Sequence, residues 1–180
     1  MMQTNEHWES TRSALHLLEQ CLASIYQNKD RVPLQWYVIQ SEPYVDHIRE
    51  LRARIDDYIG LNDAETAITS YYAQTEPNVE AEKRVENNVL ETDEHWETTR
   101  AALQNLESAL ASIYRKKNTV PLQWYVIQIE PIVDHIHELH AQIDEYIGLN
   151  HAEKAIAEFY GDKEPETALA IGESTIATTH

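Results

Sequence analysis

Apolar residues recur along this chain at alternating steps of three and four, the spacing of a helix face packed on another helix. Trp8, Thr11, Leu15, Leu18, Leu22 and Ile25 form the first such stripe. A short polar turn follows. The second stripe is longer: Leu34, Tyr37, Val38, Ser41, Tyr44, Val45, Ile48, Leu51, Ile55, Tyr58 and Ile59. Val32-Pro33 opens it, with proline expected at the first helical position, where a missing N–H does no harm. Gly60 closes it as a left-handed cap. The stripe keeps its phase through Pro43, which predicts one helix bent at the proline rather than two helices. Asn62-Asp63-Ala64-Glu65 then reads as a capping box that opens a short third helix. Its inner face would be Ala64, Ala67, Ile68 and Tyr71.

The whole pattern is then written a second time. Residues 94–153 repeat residues 6–65 without a gap, at a constant offset of 88. About 43 of the 60 aligned positions are identical. Asn5 and Asp93 stand where the two first helices would be capped. The predicted fold is all-α: tandem duplicated helical hairpins, each with a short third helix, forming a pseudo-two-fold four-helix bundle whose ends the third helices cap. The boundaries are 1–76 for the first repeat, 77–93 for an acidic linker or helix extension, 94–163 for the second repeat and 164–180 for a disordered tail.

Composition narrows the function. Four Gly and six Pro in 180 residues favour long helices over a loop-rich β fold. The net charge is −17, spread over both copies rather than gathered in one tail. Binding a phosphate backbone needs cationic side chains to displace counterions, so direct nucleic-acid binding is excluded, while a basic protein partner is allowed. Cys21 is the single cysteine, so no internal disulfide can form. It is expected on the inward side of its helix, as a small core residue matched by Ala109 in the second copy. No basic-then-apolar leader and no run of membrane-spanning length appears. A cytoplasmic monomer or homodimer is expected, with no membrane contact and no cofactor.

The candidate site comes from residues that break the stripe. On a wheel of 100° per residue Trp36 and Ile39 fall outside the second helix's apolar side, with Asp46, His47 and Glu50 running on from them. Trp124, Ile127, Asp134, His135 and Glu138 repeat the arrangement. The third helix of the same copy cannot reach Trp36: about eleven residues span roughly 17 Å, whereas Trp36 lies about 36 Å back from Gly60. Either the other copy or a partner covers these side chains. Tyr26 with Trp36, and Trp8 with Tyr58, would plug opposite ends of the hairpin.

Other chemistries fit less well. A di-iron bundle needs inward Glu-x-x-His pairs, and here the order is reversed, as His47-Ile48-Arg49-Glu50 and His135-Ile136-His137-Glu138. No metal centre is therefore assigned. His137 and His140, three apart on one face, are the candidates for an adventitious ion, although Arg49 and Arg52 hold those places in the first copy. Asp46-His47 and Asp134-His135 do not make catalytic pairs, because neighbours on a helix point about 100° apart. No nucleophile elbow or Gly-rich phosphate loop is present. The expectation is a non-enzymatic protein–protein interaction module, an adaptor or inhibitor, with Trp36, Ile39, Trp124 and Ile127 as anchors and Asp46, Glu50, Asp134 and Glu138 as an acidic rim. Its partner would be a protein, basic or two-fold symmetric. The alternatives are an acidic, antitoxin-like decoy for a basic nucleic-acid-handling protein, a metal-holding bundle, and a structural subunit.

Overall fold

A computed structural model describes residues 5–75 and 92–161. Among the described residues there are six α-helices and no strand: α1 (Asn5–Gln27), α2 (Leu34–Ile59), α3 (Leu61–Thr75), α4 (Asp93–Tyr114), α5 (Leu122–Ile147) and α6 (Leu149–Gly161). A single 3-10 turn joins α1 to α2, and another joins α4 to α5. The predicted tail 164–180 and most of the predicted linker 77–93 lie outside the described residues.

The helix boundaries follow local chemistry, with small corrections. Thr92, not Asp93, caps α4: its hydroxyl accepts from the backbone N–H of His95 at 3.2 Å. Pro33 and Pro121 sit at the N-cap, one place earlier than expected. Each long second helix runs unbroken through its proline, Pro43 or Pro131. Gly60 and Gly148 end these helices at φ +73° and +70°, and the third helices start at the next residue, so Asn62 lies inside α3 and does not cap it. Glycine is required here twice over. The left-handed conformation disfavours a side chain, and a Cβ would fall 2.4 Å from the Tyr114 ring at Gly60 and 2.2 Å from the Tyr26 ring at Gly148.

The core holds the predicted stripe: Trp8, Leu15, Leu22, Val38, Val45, Ile48, Ile55 and Ile59, with Trp96, Leu103, Leu110, Val126, Val133, Ile136, Ile143 and Ile147 answering them. Each fully buried Ile or Leu contributes on the order of 2 kcal/mol. Three expectations about orientation fail. Cys21 is exposed, as is Ala109, because Leu22 and Ala23 take the inward positions on that turn. Leu34 and Leu122 belong to the stripe by spacing but lie exposed as the first residues of their helices. Tyr26 does not meet Trp36; its ring lies 5.2 Å from His151.

The third helices depart furthest from expectation. They do not cap the ends; α3 packs along α5 and α6 packs along α2, each on the other copy's long helix. The crossing is tied by matched contacts. Tyr72 donates to Glu130 and Tyr160 to Glu42, at 2.8 and 3.0 Å. Arg49 pairs with Glu153 and His137 lies beside Glu65, both at 2.7 Å. In each couple the second contact is the first displaced by 88 in both residues, in opposite senses.

Candidate functional site

The two second helices place the sequence-derived anchors on the surface. Trp36 is 58 % exposed and Trp124 60 %, with Ile39 and Ile127 exposed beside them. The physical reason is where the crossing third helix runs. It engages α2 through Glu42 and Arg49, and α5 through Glu130 and His137; in the first turns Tyr37, Val38, Tyr125 and Val126 are buried, and the opposite face, with the tryptophans, stays open. Leu34 and Leu122, exposed in the same turns, enlarge each apolar tip. Sequence spacing assigned them inward; their position before the helices' first buried turn was the available signal.

The acidic rim is less regular than the anchors. Asp46 and Glu50 are exposed, and Glu50 already pairs with Arg54 at 2.5 Å. Asp134 and Glu138 are half-buried, and Glu138 lies 3.9 Å from His135. On α2, the exposed Pro43, His47 and Glu50 continue the line of Trp36. The His47 ring is held by donation from Nδ1 to the Pro43 carbonyl at 2.6 Å, so this histidine is oriented by its own helix rather than by Asp46.

Beneath the surface lies a polar feature that periodicity concealed. Arg12 and Glu19 fall between stripe positions, and yet both are buried, as are Arg100 and Glu107. Arg12 donates through Nε and Nη2 to Glu107 at 3.0 and 2.6 Å. Arg100 pairs with Glu19. The two bridges are the same contact displaced by 88, and they tie α1 to α4 across the copies. Each pair sets a carboxylate against a guanidinium, which is the condition for tolerating buried charge, and only the Arg100 Nε of these four side chains is left buried without a hydrogen-bond partner.

The two centres then diverge. Around Glu19, Arg52 adds a second guanidinium, donating to Glu19 at 3.1 Å and to Asp144 at 2.5 Å. Burial pulls the Arg52 guanidinium down, but Asp144 and Glu19 more than offset this and hold it above its ordinary value. Around Glu107 the corresponding residue is His140, whose Nε2 stands 4.0 Å from the carboxylate. Burial, followed by repulsion from Arg52, drives this imidazole down to about 3, so it is neutral at pH 7. Asp56, the counterpart of Asp144, is left with a buried oxygen that has no hydrogen-bond partner. Its carboxyl is pushed up to about 6 by burial, against a weaker pull from Arg52. Glu107 is likewise raised by burial, with Arg12 opposing.

The two histidines singled out for metal face different carboxylates: His137 lies 2.7 Å from Glu65, and the neutral His140 stands 4.0 Å from Glu107. Among the described residues no group of three His, Cys, Asp or Glu side chains is arranged to hold a metal ion. None of the described helices is long and apolar enough to cross a membrane.

No family model, no curated protein and no solved structure matches this chain.

Proposed function

We propose that this chain is a non-enzymatic protein–protein interaction module, an adaptor or inhibitor, that presents two pseudo-equivalent docking sites on a pseudo-two-fold four-helix bundle made of its two duplicated hairpins. The observation that carries the reading is the pair of exposed tryptophans, Trp36 and Trp124, at matching places on α2 and α5. A large exposed aromatic flanked by Ile and Leu costs solubility unless something docks on it, and tryptophan is favoured at binding hot spots. The contacts that recur at an offset of 88 support the symmetry, because each repeat uses the same surfaces toward the other. Trp36 and Ile39 with Leu34, and Trp124 and Ile127 with Leu122, would be the anchors. Asp46, Glu50, Asp134 and Glu138 would meet basic groups at the rim and steer the encounter. The partner is a protein with two equivalent surfaces, or two copies of one protein, and the mechanism is occlusion or bridging.

The test is capture from native lysate at low and high salt, with wild type beside a Trp36→Ala, Trp124→Ala double variant whose helicity is checked first. A protein held by the wild type and lost from the variant supports the reading. A protein held by both at low salt and released by both at high salt replaces it with the acidic decoy, which the net charge of −17 favours. An empty lane throughout rejects docking.

A further inference from the structure

The two aromatic stacks at the ends of the hairpins are built alike but finished differently. In the first copy Trp8 stacks on Tyr58 with ring centroids 4.6 Å apart. Arg115 completes this stack from the other copy: Nη2 donates to the Tyr58 hydroxyl at 2.6 Å, and the guanidinium carbon lies 5.6 Å from the ring centroid. In the second copy Trp96 stacks on Tyr146 at 5.8 Å. The residue in the place of Arg115 is Gln27. It has no charge to offer, and a cavity of about 280 Å³ lies there between α1 and α4.

The lining of that cavity has changed in the complementary sense. Asp93 stands where the first copy has Asn5, so a carboxylate is gained where a guanidinium is lost. Asp93 accepts a hydrogen bond from the Tyr146 hydroxyl, which leaves the phenol oxygen's lone pairs free to accept, as the Tyr58 oxygen does from Arg115. Glu97 adds a second carboxylate, and none of the lining residues is cationic. Trp96 forms part of the wall, with its ring also stacked on His16 at 5.0 Å, so the hydrogen-bond acceptors for a ligand are the carboxylates and the Tyr146 oxygen. An aromatic pair with flanking carboxylates attracts a planar cation through the ring quadrupole and through charge-assisted hydrogen bonds.

We propose that the cavity bounded by Gln27, Asp93, Trp96, Glu97 and Tyr146 is a binding site for a guanidinium group, the group that Arg115 supplies internally at the equivalent place. The site is distinct from Trp36 and Trp124, and it stands whether or not those residues dock a partner. Its natural ligand would be an arginine side chain of a partner protein or a small guanidinium compound. A single cation–π contact with hydrogen bonds makes a weak site for the isolated group.

The test uses N-acetylarginine amide as the probe and N-acetylcitrulline amide as its uncharged isostere. Binding is followed on the tryptophan indole N–H resonances of the full chain. In the wild type the Trp96 resonance shifts with the arginine probe and stays with citrulline, while the Trp8 resonance does not move. Gln27→Arg fills the cavity from within and weakens probe binding at least tenfold. Arg115→Gln opens the matching place in the first copy, where Asn5 stands in place of Asp93, so that Trp8 responds more weakly than Trp96. Both substituted residues are exposed, so the variants keep the core intact. Methylguanidinium in a third arm separates the sources: a response equal to that of the arginine probe marks a small-molecule site, and a weaker one marks a peptide site. Equal binding of arginine and citrulline, equal binding by wild type and Gln27→Arg, or no Trp96 shift with either guanidinium probe overturns the proposal.

Discussion

Glu19 faces two guanidiniums, and Glu107, the same residue 88 places later, faces one guanidinium and a neutral imidazole. The single difference behind this is Arg52 in the first copy against His140 in the second. In the Glu19 centre two carboxylates and two arginines balance. In the Glu107 centre one cation is missing, and Asp56 is left with one oxygen unpartnered; burial raises its carboxyl to about 6, as burial also raises that of Asp144. Duplication therefore preserved the geometry of the bridge between α1 and α4 while relaxing its charge balance on one side. The lesson is that a buried ion pair is specified by its whole set of neighbours, not by the two residues that touch.

The largest expected effect comes from removing the carboxylates. Glu19→Ala leaves Arg100 without its carboxylate in the interior and takes from Arg52 one of its two carboxylates, Asp144 remaining; it should cost about 3–5 kcal/mol, the range for breaking a buried pair. Glu107→Ala strands Arg12 alone, since His140 carries no charge to repel it, and should cost clearly less. Urea unfolding of the two variants measures the difference; equal losses would mean that Arg52 contributes nothing to the Glu19 centre.

The next effect is on pH dependence. His140 binds its proton less readily folded than unfolded, at about 3 against 6.5. Its contribution is present above pH 6.5 and is lost as pH falls, by up to about 1.4 kcal/mol per unit. Asp56 is shifted the other way, from 3.8 to about 6. Its contribution is fully present below pH 3.8 and is lost as pH rises through 6. Between pH 6 and 4 the two oppose each other. Asp56→Asn removes one side of that opposition. The variant should exceed the wild type in urea midpoint at pH 7 and lose this advantage as pH falls to 4. Parallel curves across that range would show that Asp56 does not carry the offset.

A smaller effect is expected from rebuilding the missing cation. His140→Arg should give Asp56 and Glu107 the partner that Asp144 and Glu19 have. The Asp56 carboxyl should then titrate well below 6 in carbon-detected NMR, with a stability gain of about 1 kcal/mol at pH 7. An unchanged Asp56 titration would mean that the second centre can no longer seat a guanidinium.

The smallest effect belongs to the surface. Trp36→Ala and Trp124→Ala should each change stability by no more than about 0.5 kcal/mol, as exposed substitutions do. Trp8→Ala and Trp96→Ala, at 5 % and 4 % exposure, should cost about 3–5 kcal/mol. Thermal melts of the four variants test the contrast. A large loss at Trp36 would mean that it packs on the rest of the chain and is not available to a partner.

The exposure of Trp36, Ile39, Trp124 and Ile127 was legible because they stand out of phase with a strong apolar stripe. The buried charges were not. Arg12 and Glu19 also stand off the stripe, and the same polarity rule that marked Trp36 as unusual marked them as ordinary surface residues. Only the presence of an opposite charge across the interface makes their burial tolerable, and the identity of that opposite residue is not a local property. The same limit explains Cys21 and Leu34: spacing alone does not say how wide the buried arc is, or where along the helix the facing element ends.

Sequence alone determined the six helices, because their apolar spacing, their prolines and the glycines at 60 and 148 act on near neighbours. It also determined the duplication, since the second copy repeats the first residue by residue. The tertiary structure decided which copy each third helix packs against, why Trp36 and Trp124 stay uncovered, and how Glu19 and Glu107 came to differ. Those outcomes depend on pairings between residues 33 to 118 positions apart, and no periodicity within one helix encodes its partner.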